Sequence, residues 1–121
     1  MKILKFIGLV DKFNDPADTL PLGEQKILEI GRALASEPEL ICLDEPAAGL
    51  NETETYVASS LIRAINAKGI TVLLVEHDMK VIMNISDEIA VLNYGQKIAE
   101  GSPQEIQNNR RVIEAYLGSE I

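Results

Sequence analysis

Residues 40–46 read Leu40-Ile41-Cys42-Leu43-Asp44-Glu45-Pro46: four apolar residues run straight into two acids and a proline. The run lies between Pro38 and Pro46 and holds a β-branched residue, so it predicts a strand; its unbroken apolarity predicts a strand covered on both faces. The acids then stand where the strand leaves its sheet, and in open parallel sheets ligands bind at the carboxyl ends of strands. An acid there can hold a hydrated Mg²⁺, which makes Asp44 a metal candidate, and a second acid can orient or deprotonate a water, which makes Glu45 a base candidate. Taken alone, the same letters also fit an apolar strand ending in a solvated turn.

The chain on either side gives the strand a context. Downstream, Ala47-Ala48-Gly49-Leu50-Asn51 is a tight loop. Asn51 is a good N-cap, and Glu54 three residues on completes a capping box. The helix so opened is predicted to reach Ala67, to bury Val57, Ala58, Leu61, Ile62 and Ile65, and to stop at Lys68-Gly69. A second apolar strand, 70–75, follows and also ends in charge, at Glu76-His77-Asp78. Strand, helix and strand make a βαβ unit with parallel strands. Parallel strands would bring Asp44-Glu45 and Glu76-His77 to one sheet edge.

Upstream, Ile27, Ile30, Gly31 and Leu34 have helical spacing within a predicted helix from Gly23 to about Ser36. Gly31 lowers helix propensity, so close packing against a neighbour is expected there. Residues 2–10 read as a short amphipathic helix. Beyond the second strand, Asp78 can cap a short helix over 79–84, and Asn93-Tyr94-Gly95-Gln96 joins two strands as a hairpin. Ser102-Pro103-Gln104-Glu105 opens a helix with a cap, a proline in the first turn and a glutamate at N3. A last helix is expected over 109–117, ended by Gly118.

With 121 residues the chain suffices for one small domain. Its net charge of −8 speaks against a nucleic-acid surface, which needs a basic stripe. Cys42 is the single cysteine, so no intrachain disulfide or multi-cysteine metal site is possible; inside an apolar run it reads as a small buried hydrophobe. No apolar stretch approaches the length of a membrane span, so direct membrane insertion is not expected and any membrane role passes through a partner.

The order of these features resembles the second half of an ABC-transporter nucleotide-binding domain. Leu20-Pro21-Leu22-Gly23-Glu24-Gln25 is similar to the signature motif of that family, Leu40 to Glu45 to its Walker B strand, Ala47 to Asn51 to its D-loop and His77 to its switch histidine. The stretch 91–101 is similar to its C-terminal hairpin. The Glu-Gln of the signature and the terminal Glu114-Ala115-Tyr116-Leu117-Gly118 resemble ATPase subunits of branched-chain amino-acid importers. The implied fold is α/β, P-loop NTPase-like: parallel core strands, flanking helices and a C-terminal hairpin. Residues 1–36 would end the helical subdomain, and residues 37–121 would form the C-terminal part of the ATPase core.

The resemblance also implies roles. Asp44 would help to hold Mg²⁺, Glu45 would polarise the attacking water and His77 would contact the γ-phosphate of ATP. Pro21, Leu22, Gly23, Glu24 and Gln25 would face ATP held by a second ATP-binding subunit, with the helix N-terminus aimed at its γ-phosphate. Gly49 and Asn51 would reach across that dimer. Permease subunits in the membrane would be further partners, placing the protein at the cytoplasmic face of the cell membrane.

Three departures qualify this. No G-x-x-x-x-G-K-[ST] loop occurs, nor the glutamine loop that follows it in the family, so the chain resembles a C-terminal portion expected to be inactive alone. Pro21 stands where the family has serine and offers neither hydroxyl nor N–H. Asn51 replaces the usual D-loop aspartate. Two other functions compete: a non-catalytic interaction module, and part of a soluble ABC-type ATPase acting on DNA or ribosomes. The acidic balance counts against the second.

Overall fold

The computed structural model describes residues 1–117. Its contacts fall into two units, Met1–Val81 and a second beginning at Ile82.

The first unit is built on a βαβ crossover. Strands β1 (Leu40–Asp44) and β2 (Thr71–Val75) run parallel, with Leu40 opposite Thr71 and Asp44 opposite Val75. The ladder extends past both ends, through Thr71 N–H to the Glu39 carbonyl at 2.9 Å and Glu45 N–H to the Val75 carbonyl at 2.7 Å. The connecting helix α3 (Glu52–Ala67) starts at the expected capping box. The Asn51 side chain accepts from Glu54 N–H at 2.8 Å, and the Glu54 carboxylate accepts from Asn51 N–H at 3.2 Å. Gly69 ends the crossover with a φ of 95°, a left-handed conformation that costs glycine nothing.

Helices α1 (Lys2–Ile7) and α2 (Leu22–Leu34) complete this unit. Gly31 is the contact between them: a Cβ there would stand 2.7 Å from Ile7 Cδ1, so the lost helix propensity is exchanged for close approach. The predicted helix over 2–10 stops early. Gly8 turns left-handed at φ 81°, and the bonds from Gly8 N–H to Lys5 and from Leu9 N–H to Leu4 form a Schellman stop. The core gathers Ile27 and Ile30 of α2, Ile41 and Leu43 of β1, and Ala58, Leu61, Ile62 and Ile65 of α3.

Three burial expectations are corrected. Only alternate residues of β1 are buried, so Leu40 is 52% exposed and Cys42 is exposed rather than buried. In β2, Leu73 and Val75 are each 55% exposed. The buried residues of β1 face one way, and its other face, like the outer positions of β2, is open to solvent. Val57, assigned to the buried stripe of α3, is likewise 51% exposed.

The second unit holds the hairpin of β3 (Ile89–Asn93) and β4 (Gln96–Gly101), antiparallel with Ile89 opposite Gly101. Tyr94 and Gly95, at φ 51° and 76°, form its two-residue turn, whose positive φ values match the twist of the strands. Ser102 and Glu105 make the second capping box, opening α5 (Pro103–Gln107) with proline at its start. Asn109 caps α6 (Arg110–Val112), which widens into a π turn over Ile113–Leu117. The predicted stop at Gly118 lies outside the described residues. Ile106 and Val112 are the most buried side chains of this unit. Helix α4 (Met79–Ile85) leads from the first unit into the second, and Asp78 accepts from Lys80 N–H at its start, at 3.0 Å. No helix of the described residues is long and apolar enough to cross a membrane.

Candidate functional site at the strand ends

Because β1 and β2 are parallel, both chains leave the sheet at the same edge, and their polar ends meet there. His77 Nδ1 lies 2.7 Å from Glu45 Oε1. Glu45 holds this position with a left-handed backbone, φ 48°, rare for a residue with a side chain. The turn after it is closed by Ala48 N–H to the Glu45 carbonyl at 3.1 Å and Leu50 N–H to the Ala47 carbonyl at 3.2 Å. Glu76 is the third member. Its side chain is only 1% exposed, against 47% for Glu45 and 72% for His77. One acceptor oxygen from each carboxylate and one ring nitrogen all lie within 4.8 Å of one another.

This arrangement offers an accessible carboxylate beside an imidazole. A carboxylate is a fair acceptor for a proton from water, and an imidazole partner fixes where that carboxylate points. Asp44 is not in the cluster; strand alternation turns it to the open face, where it is exposed. A lone exposed carboxylate fits Mg²⁺, which takes one or two protein carboxylates and fills its remaining positions with phosphate and water oxygens.

Residues 20–25 lie around the start of α2. Pro21 is the N-cap and makes no side-chain bond, while its carbonyl accepts from Gln25 N–H at 2.9 Å. The Gln25 side chain turns back to donate to the Leu20 carbonyl at 2.8 Å. One oxygen of Glu24 is buried without a partner. Glu24 also lines a cavity of about 430 Å³ together with Gly23, Ile27, Thr53 and Glu54.

Two contacts join this region to the loop 47–51 and to the start of α3. A Cβ on Gly49, which has φ 79°, would come within 3.0 Å of the Leu22 side chain. A Cβ on Gly23 would meet Glu54 Oε2 at 2.3 Å, so the glycine leaves room for the carboxylate that caps α3. Asn51 is engaged in that same cap. Thus Glu45 joins His77, Leu22 joins Gly49, and Gly23 joins the Asn51 cap.

One residue at the site escaped the sequence reading, and a second was expected at this edge without a role of its own. Lys26, one helical turn into α2, points its Nζ at the Glu45 carbonyl from 3.5 Å and links the two regions. Glu76 was visible only as one letter of a charged strand end; its burial depends on Ala47, 29 residues away.

Comparison with known proteins gives similarities in sequence and in fold. Residues 96–121 match the family model described as the branched-chain amino acid ATP-binding cassette transporter. Over 116 residues, 95% of the chain, it is 50% identical to the high-affinity branched-chain amino acid transport ATP-binding protein LivG of Salmonella typhimurium and covers 46% of that protein. It is 47% identical over 116 residues to BraF of Pseudomonas aeruginosa, a protein of the same description, and again covers 46% of it. A solved ATP-binding cassette of an ABC transporter, in its ADP conformation, superposes with a TM-score of 0.88 at 36% identity, over 97% of this chain and 48% of that one. The chain therefore spans about half the length of the relatives it matches. In sequence it is similar to about half the length of branched-chain amino acid transport ATP-binding proteins, and in fold to ATP-binding cassettes of ABC transporters.

Proposed function

We propose that this chain supplies the signature, water-activating and switch elements of an ATP-hydrolysing subunit that drives a branched-chain amino-acid importer. The observation that supports this most directly is the 2.7 Å contact between Glu45 and His77 across the ends of parallel strands. In this reading Glu45 accepts the proton of the attacking water, and His77 orients that carboxylate while its other ring nitrogen is free to meet the γ-phosphate. Asp44 is the residue that would hold Mg²⁺, an ion that offsets phosphate charge. The phosphate-wrapping loop is not among these 121 residues, so hydrolysis needs the part of the relatives' length that this chain does not match.

Residues 1–36 are read as the end of a helical subdomain and residues 37–121 as ATPase core. The N-terminus of α2, from Pro21 to Gln25, faces the ATP of a second subunit, with Gly49 and Asn51 at the same contact. The partners are thus a second ATP-binding subunit and the permease, which would hold the protein at the cytoplasmic face of the membrane.

The test joins this chain to the N-terminal half of Salmonella LivG. The joined protein should hydrolyse Mg-ATP, and Glu45→Gln should bind it but turn over about 10²-fold or more slowly, the usual range for loss of a general base. Turnover within a few-fold of the parent would remove Glu45 from that role.

A further inference from the structure

We infer that Glu76 is a positioning residue: its buried carboxylate clamps the turn after β1 to the end of β2 and so fixes where Glu45 stands against His77. This rests on the proposed hydrolytic reading only for its consequence in turnover; the clamp itself is a matter of geometry.

Carboxylates at strand ends are ordinarily solvated, and a buried one needs donors. Glu76, at 1% side-chain exposure, has two. Oε2 accepts from Ala47 N–H at 3.2 Å, and Oε1 accepts from its neighbour His77 N–H at 3.2 Å. The two donors lie on the two chain segments that meet at the site. Ala47 is two residues past Glu45, and His77 carries the imidazole that Glu45 contacts. One rigid group therefore spans both segments whose side chains must meet.

The backbone shows what the clamp has to hold. Glu45 occupies the left-handed region at φ 48°, a conformation that persists only where its surroundings over-determine it. On the N-terminal side, the ladder bond from Glu45 N–H to the Val75 carbonyl at 2.7 Å does this. On the C-terminal side, the Glu76 bond to Ala47 is the tie to β2. Without it, among the described residues, the turn past Glu45 would keep its own short-range bonds, from Ala48 and Leu50, and the reach of Lys26 from α2 to the Glu45 carbonyl, none of which ties its backbone to β2. Glu45 could then relax toward an ordinary φ and turn its carboxylate away from His77. The Glu76 side chain is closed to solvent, so it acts through Glu45 and His77.

The test uses amide hydrogen exchange, read by NMR on the 121-residue chain. In Glu76→Ala, protection at Ala47 should fall at least tenfold while Leu43, inside the same strand, keeps its protection. Glu76→Gln retains one acceptor oxygen, so it should lose at least threefold at either Ala47 or His77 and spare Leu43. It also keeps the assay decisive if the alanine variant does not fold. Unchanged protection at Ala47 and His77 in Glu76→Gln, or an equal loss at Leu43, would overturn the clamp. In the LivG-joined protein, Glu76→Ala should lower kcat at least tenfold with KM for Mg-ATP changed less than threefold, and Glu76→Gln should recover part of it. A loss carried by KM alone would overturn the positioning role. An inactive parent would count against the hydrolytic reading and leave the exchange result standing.

Discussion

His77 and Glu45 are 32 residues apart in the chain, yet Nδ1 of one and Oε1 of the other stand 2.7 Å apart. The pair is a product of topology: two parallel strands in register end together, and each contributes its first polar side chains to the same edge. Residues that act as a unit give strongly non-additive losses. In the LivG-joined protein, His77→Ala should therefore slow turnover at least tenfold, and adding it to Glu45→Gln should slow that variant less than threefold further. Multiplicative losses in steady-state turnover would show the two acting independently.

Pro21 caps α2 without a side-chain bond, at the position where a hydroxyl could serve a phosphate. Hydrogen bonds to charged groups contribute about 1.5–3 kcal/mol, tenfold or more in an equilibrium. Pro21→Ser in the joined protein should strengthen ATP-dependent dimerisation by about that factor, read by analytical ultracentrifugation with Glu45→Gln present to prevent turnover. Equal dimerisation would mean that the α2 N-terminus and Gly23 carry the contact alone.

Gly23 and Glu54 are coupled by space. An alanine methyl at 23 would lie 2.3 Å from Glu54 Oε2, and the carboxylate would have to swing out of its bond to Asn51 N–H. Losing a cap of this kind costs about 1 kcal/mol. By urea unfolding, Gly23→Ala should be more harmful in the parent than in a Glu54→Ala background by about that amount. Equal effects in both backgrounds would show that Glu54 yields without loss.

Much of the architecture could be read from local chemistry. Asn51 with Glu54, and Ser102-Pro103 with Glu105, announced two helix starts that the structure shows as capping boxes. The apolar runs over 40–43 and 70–75, separated by one helix, gave the parallel pair and with it the meeting of Glu45 and His77. Burial was less legible. An apolar run such as Leu40 to Leu43 carries no alternation, so nothing in it says that only Ile41 and Leu43 would be covered. The apolar periodicity of Ile3 and Ile7 runs on to Val10, but the left-handed Gly8 ends helix α1 at Ile7. Glu76 was legible as a member of the shared strand-end edge, but not its burial, because that depends on a backbone N–H far along the chain.

The second unit gives a pH dependence with a definite sign. The Ser102 backbone N–H, and secondly its hydroxyl, hold the Glu105 carboxyl below the ordinary glutamate range. A carboxyl lowered in the folded state contributes stability above its unfolded value and loses it as pH falls through the folded one. Protection of the Glu105 amide, corrected for intrinsic exchange, should therefore be constant near neutrality and decline below the ordinary glutamate value. Glu105→Gln should remove that decline. A carboxyl-carbon NMR titration placing Glu105 at or above the ordinary value would contradict it.

The open face of the β1–β2 sheet makes a final prediction about the 121 residues by themselves. Leu40, Leu73 and Val75 are each more than half exposed, and Cys42 shares their face. Burying one such leucine is worth about 1.5–3 kcal/mol, so several on one face, beside an unpaired strand edge, favour association. The chain should therefore self-associate with rising concentration. Leu73→Lys should suppress this in light scattering while leaving the circular dichroism spectrum in place, because the side chain it replaces is 55% exposed. Cys42 reports on the same face: its thiol should react with a disulfide reagent quickly in the dilute chain and several-fold more slowly as association proceeds. Isothermal titration on that dilute sample should find no micromolar binding of Mg-ATP, because no G-x-x-x-x-G-K-[ST] loop is present to wrap the phosphates. A monomer at all concentrations with a fast-reacting Cys42 would mean that this face tolerates water. A slow thiol in that monomer would mean that residues of the chain itself cover the face.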